Sequence, residues 1–141
     1  MDAIRNHLVA LVAVGVTWIP SAFGQRNAGP SPWVTGTYSN LTYNEEGGDL
    51  LGWEIQLIPS RNGFKAVVQF AEGGEPDVAL ADVAVSGGQV HFVLSAPFFP
   101  PGEFDGTVSP KGLEGAFKDK GGSPEHLVLP RGTSYWQRRR K

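Results

Sequence analysis

Phe104-Asp-Gly-Thr-Val-Ser-Pro-Lys-Gly-Leu-Glu-Gly-Ala-Phe117 decides the fold. Apolar side chains alternate with small or polar ones on both sides of Ser109-Pro110-Lys111-Gly112. Pro suits the second position of a tight turn and Gly the fourth. The stretch therefore predicts an antiparallel hairpin with Val108 opposite Leu113, Gly106 opposite Gly115 and Phe104 opposite Phe117. Its halves echo each other as apolar, acid, Gly, small, apolar. Facing glycines leave a notch in one face of a sheet. Such a notch serves a sharp bend filled by a core aromatic, or the approach of a ligand.

The same period-two pattern extends outward. Between Trp33 and Pro130 no segment repeats its apolar residues at helical spacing, and turn signals separate short alternating runs. Eight strands are predicted, at 33–43, 51–58, 64–71, 77–85, 89–95, 103–109, 112–118 and 125–130, with a tail from Arg131 to Lys141. Asn62-Gly63 is a strong two-residue hairpin signal, which would set Leu57 opposite Val68 and Ile55 opposite Phe70. Gly87-Gly88 is another, setting Val85 opposite Val90 and Val83 opposite Phe92. The alternation assigns Trp53, Ile55, Leu57, Phe64, Ala66, Val68, Phe70, Val83, Val85, Val90, Phe92, Leu94, Phe104, Val108, Leu113 and Phe117 to one face. Glu54, Gln56, Lys65, Gln69, Asp82, His91, Asp105, Glu114 and Lys118 take the other. A sheet with one apolar face must bury it, and short hairpins in series favour a meander that closes on itself. The predicted fold is an all-β, single, antiparallel, eight-stranded up-and-down barrel, with a two-sheet sandwich as the alternative. Val78 to Val85 is apolar on both faces. Val78, Leu80, Ile58, Val67 and Val93 thus form an outer apolar patch, covered by a terminal segment or by another subunit.

The ends read differently. Residues 1–24 match a secretory signal peptide: Arg5, then an apolar run from Leu8 to Ile19, Pro20, and small residues before Gln25. The run is shorter than the ~20 residues of a spanning helix, so no transmembrane span is expected after processing. Residues 25–32 are a polar lead-in, 33–137 the barrel domain and 138–141 a basic tail. A periplasmic or secreted location follows from this reading. The chain of 141 residues has a formal charge of −2 and no cysteine. That excludes a generally basic nucleic-acid binder, disulfides, thiol nucleophiles and thiolate metal sites.

Little in the chain points to chemistry. His91 and His126 lie on separate strands without His-x-His or His-Glu-x-x-His spacing, so no metal ligand set is assigned. No Gly-x-Ser-x-Gly elbow occurs, and Ser123-Pro-Glu-His126 reads as a hairpin loop. Glu45-Glu46-Gly-Gly-Asp49 is a solvated turn without the calcium-loop pattern. The Gly-Gly pairs sit in hairpins, away from any strand-to-helix junction that would cradle phosphate. No catalytic residue and no cofactor are assigned.

Trp33-Val-Thr-Gly36-Thr-Tyr38-Ser-Asn40 resembles the opening of calycin-type barrels, the lipocalins and avidins, with Tyr38 where their Gly-x-Trp carries Trp. The avidin resemblance implies that Asn40 lies near a ligand-facing position. The later strands lack avidin's hydrogen-bonding Tyr and Ser and its stacking tryptophans, so biotin is not implied. Leu127-Val-Leu-Pro-Arg131 is similar to the closing strand of exported bacterial β-domains, which implies no activity.

Two functional expectations follow. One is a non-enzymatic binding module for a small apolar ligand, lined by Trp53, Phe70, Phe92, Phe104 and Phe117, with Asn40 from the resemblance. The other is an envelope interaction protein with a packed core and an outer apolar interface, such as a homo-oligomer. A hydrolase ranks third. An interior void above ~300 Å³ would favour the first, and a filled centre the second.

Overall fold

The computed structural model describes residues 32–98, 101–118 and 125–138. The signal peptide, most of the lead-in, Ser123 and the last three tail residues lie outside them. A 3-10 turn, Pro32–Val34, leads into β1 (Gly36–Ser39) and β2 (Thr42–Asn44). There follow β3 (Asp49–Ser60), β4 (Gly63–Glu72), β5 (Asp77–Ser86), β6 (Gln89–Leu94), β7 (Gly102–Ser109), β8 (Gly112–Lys118), β9 (Glu125–Gly132) and a one-turn helix α1 (Tyr135–Arg138). β1 and β2 hold one register along β3, with Thr37 opposite Gln56 and Tyr43 opposite Leu50. They act as one strand broken at Asn40-Leu41. From β3 to β9 every strand pairs antiparallel with the next, and β1 joins β9 to β3. The result is a closed eight-stranded up-and-down barrel, an arrangement compatible with a calycin-like fold. Among the described residues no helix is long and apolar enough to cross a membrane.

The hairpin quoted first pairs as expected: Val108 faces Leu113, Gly106 faces Gly115 and Phe104 faces Phe117. The notch holds the ring of Phe104. A Cβ on Gly106 would lie 2.6 Å from Phe104 Cε1, and one on Gly115 2.5 Å from Phe104 Cζ. The Asn62-Gly63 hairpin differs. Ser60 pairs with Gly63 across Arg61-Asn62, so Leu57 faces Ala66, Ile55 faces Val68 and Trp53 faces Phe70. Gly63 enters the ladder at φ 124°, which leaves Asn62 at negative φ. The register slips by two residues, and an even slip returns every side chain to its own face. At the next hairpin Val85 faces Val90 as expected. Ala84 faces His91 in the same register, and on the other edge of β5 Val83 lies opposite Phe64 on β4.

Most of the inward set is buried, with Phe70 and Val85 only partly so. Val34, Tyr38, Ala81, Phe98, Leu127 and Leu129 complete that core. Two outward residues expected to meet solvent do not: Glu54 and Gln69 are on the outer face but buried. They are cross-strand neighbours on β3 and β4, and residues after β9 fold over them. The tail expected from Arg131 also begins later, since Arg131 and Gly132 belong to β9 and pair with β1.

Arg131 clasps the barrel shut. Its Nη1 donates to the Thr35 carbonyl (2.9 Å), and its Nη2 donates to the Trp33 carbonyl (2.6 Å) and to Tyr38 Oη (2.7 Å). The guanidinium carbon lies 5.0 Å from the Tyr38 ring centroid. Tyr38 Oη donates in turn to the Val34 carbonyl (2.6 Å). Burial raises the Tyr38 pKa, with Arg131 pulling the other way.

Candidate functional site

The five expected lining aromatics come together from β3, β4, β6, β7 and β8. Trp53 lies 4.4 Å from Phe70 and 4.8 Å from Phe117, centroid to centroid. Phe117 lies 5.0 Å from Phe104, which stacks on Phe92 at 4.8 Å. These are contact distances for aromatic rings. Each of the five rings thus lies in contact with at least one other of the set. Phe98, which sequence reading missed, adds a sixth ring 6.4 Å from Trp53. Phe98 falls in the irregular stretch after β6, where alternation carries no information. The Trp53 indole satisfies its N–H on Glu125 Oε1 at 3.0 Å.

Asn40 does not point into this cluster. Its Oδ1 accepts from the Trp53 backbone N–H (2.7 Å), while its own N–H donates to the Trp53 carbonyl (3.0 Å). A side chain thereby takes a ladder position where β1 gives way to β2. Gly52 makes this fit, since a Cβ there would lie 2.7 Å from Asn40 Oδ1. Asn40, Trp53, Phe70 and Glu125 share the lining of an open cleft of about 660 Å³. Three of the six expected site residues thus meet there.

The outer face carries two His–carboxylate pairs that spacing along the chain could not reveal. His91 and Asp105 are direct partners on β6 and β7. His91 Nδ1 lies 2.9 Å from Asp105 Oδ1 and 3.7 Å from Glu103 Oε1. Lys118 Nζ lies 2.5 Å from Asp105 Oδ2. That hydrogen bond, then the one from His91, holds the Asp105 carboxyl below the usual range. Asp105 in return raises the Lys118 pKa. The donor atoms of His91, Glu103 and Asp105 lie within 4.8 Å of one another. His126 Nε2 lies 3.3 Å from Glu114 Oε1, and both residues line the same open groove as His91 and Asp105.

The outer apolar patch is present and exposed among the described residues. Leu80 is 66% exposed and Val78 62%, with Val93 and Ile58 also exposed and Val67 half-buried. Leu80 is the cross-strand partner of Val67, and Leu80 and Val93 line one shallow depression.

The residue that sequence reading placed least well is Glu54. Its Oε1 accepts from Ser134 Oγ (2.6 Å) and Gln56 Nε2 (2.9 Å), and its Oε2 accepts from the Tyr135 backbone N–H (2.8 Å). Trp136 Nε1 donates to Gln69 Oε1 at 2.7 Å. Burial works against the ionised form of Glu54, but hydrogen bonds from Ser134, Tyr135, Gln56 and Ser39 outweigh it and lower the pKa. The carboxylate anchors the strap formed by α1 and Ser134.

No family model, no curated protein and no solved structure matches the chain. Fold and site geometry are therefore the ground for a functional reading.

Proposed function

We propose that the protein is an exported, non-enzymatic β-barrel that acts through its outer wall, associating with a second copy of itself. The observation that carries this reading is the exposed pair Val78 and Leu80 on β5, with Val93 and Ile58 alongside. Contiguous exposed apolar surface favours association, and a two-fold contact brings one patch against its own copy. The contact distances among the central rings support a packed scaffold over an interior ligand site. Export rests on the pattern of residues 1–24.

A second reading is binding of a small apolar ligand at the cleft beside Trp53 and Phe70. Its size supports this, since ligand pockets run from ~300 to 1,000 Å³. Native mass spectrometry of the protein isolated from its own envelope tests both readings at once. A dimer mass that Leu80→Glu converts to monomer is the result expected. A monomer at every concentration overturns self-association. A monomer that keeps an added small-molecule mass in Leu80→Glu, and loses it in Phe70→Ser, supports the cleft reading instead.

A further inference from the structure

Where the turn after β2 meets the loop after β4, a cleft of about 500 Å³ opens beside α1. Tyr43, Leu50, Glu75, Pro76, Tyr135 and Trp136 line it. With Gly74 the lining has seven residues, three of them aromatic. Tyr135 and Trp136 stand 5.1 Å apart with ring planes at 87°, so their planes meet at a corner. The bond from Trp136 Nε1 to Gln69 fixes the indole, yet the side chain stays 43% exposed. Tyr43 is exposed as well. The Trp136 ring is therefore held in place by the fold before any ligand arrives, which lowers the cost of binding.

Glu75 puts a carboxylate on the lining. Glu45, Glu46 and Asp49 follow Tyr43 closely in the chain, and Glu72 and Asp77 lie either side of Glu75. The two segments touch: the Gly73 N–H donates to the Leu50 carbonyl (3.0 Å), and a Cβ on Gly73 would lie 3.7 Å from Asp49 Oδ1. Arg138 turns its Nη2 to the Leu41 carbonyl at 3.2 Å. Aromatic faces attract cations through their quadrupole, and a carboxylate beside them adds Coulomb attraction. A neutral apolar guest would use the rings but not the carboxylates. A bare metal ion would use the carboxylates but not the rings. An alkylated ammonium group uses both, because its methyl groups carry the positive charge into contact with the aromatic faces.

We propose that this cleft binds an alkylated ammonium group, carried by a free solute or by a lipid head group. The test is titration of the purified protein with choline, followed by calorimetry and by the NMR signal of the Trp136 indole N–H. The control ligand is 3,3-dimethyl-1-butanol, in which carbon replaces the charged nitrogen. Choline is expected to shift the indole signal saturably and to bind at least about tenfold more tightly than the neutral alcohol. Tyr43→Leu and Glu75→Gln should each weaken choline severalfold with an unchanged circular dichroism spectrum. Glu75→Gln lies in a loop, so it keeps the test decisive should Tyr43→Leu fail to fold. Equal binding of choline and its neutral analogue, or no shift with choline, overturns the proposal. Sedimentation with phosphatidylcholine vesicles, competed by free choline, identifies the lipid head group as the source. Choline binding without sedimentation identifies a free solute.

Discussion

Glu54 shows how one buried carboxylate can hold the segment that follows β9. Its oxygens accept from Ser134, Tyr135 and Gln56, and no water-exposed surface remains on it. A buried charge is tolerated only when its hydrogen bonds are made. Its pKa in the fold lies below the ordinary 4.5. The stabilisation this supplies is therefore complete above that value and is lost as pH falls through the depressed one. Glu54→Gln replaces one acceptor with an amide nitrogen that faces existing donors. It should cost about 2 kcal/mol at neutral pH and flatten the acid side of the stability profile. Urea unfolding from pH 7 to pH 3, followed by tryptophan fluorescence, checks both. An unchanged acid limb in the variant would show that Glu54 is not the titrating group. Alternation could not show this role, since it sorts residues by face and Glu54 sits on the face it marks as wet. The strap that dries it comes from Ser134 and α1, eighty residues away in the chain.

At the scale of single elements, strand existence and facing were legible because each strand combines period two with a bounded turn. The β7–β8 hairpin was read to the residue, since Pro110 and Gly112 admit one register. The β3–β4 hairpin was read two residues out, because Gly63 can serve in the turn or just beyond it and the chain uses the latter. The five core aromatics were legible for the same reason as the strands. The His91–Asp105 pair was not, because it exists only across β6 and β7. The glycine pair in β7 and β8 tests the packing directly. A Cβ on Gly115 would lie 2.5 Å from the Asp105 carbonyl oxygen as well as from the Phe104 ring. A ring can swing aside, but a strand backbone cannot move without breaking its ladder. Gly115→Ala should therefore destabilise by about 2 kcal/mol, as overpacking does. Gly132→Ala, with nothing within 4 Å of the new atom, should stay within about 0.5 kcal/mol of the parent. Matched urea midpoints for the two variants would mean that β7 and β8 have slack that the geometry denies.

Among the described residues the barrel is a series of local hairpins shut by one distant strand pairing, β1 with β9. β3 to β9 zip neighbour to neighbour, whereas closure joins Thr37 to Gly132 and Tyr38 to Arg131. Bringing such distant segments together costs loop entropy before the contact returns anything. Closure is therefore expected after the transition state, with the local hairpins formed first. Arg131 offers a probe of that order. Its planar fork reaches the Thr35 and Trp33 carbonyls and Tyr38 Oη together, while a lysine ammonium has one nitrogen and no flat face to lay on the Tyr38 ring. Arg131→Lys should lose about 1.5 kcal/mol of stability. If closure comes late, nearly all of that loss appears in unfolding, which speeds up by roughly tenfold while refolding keeps its rate. Stopped-flow refolding and unfolding across a urea series separate the two arms. A refolding arm slowed by the full amount would place the clasp in the nucleus, and the barrel would then form from its seam outward rather than from its hairpins inward.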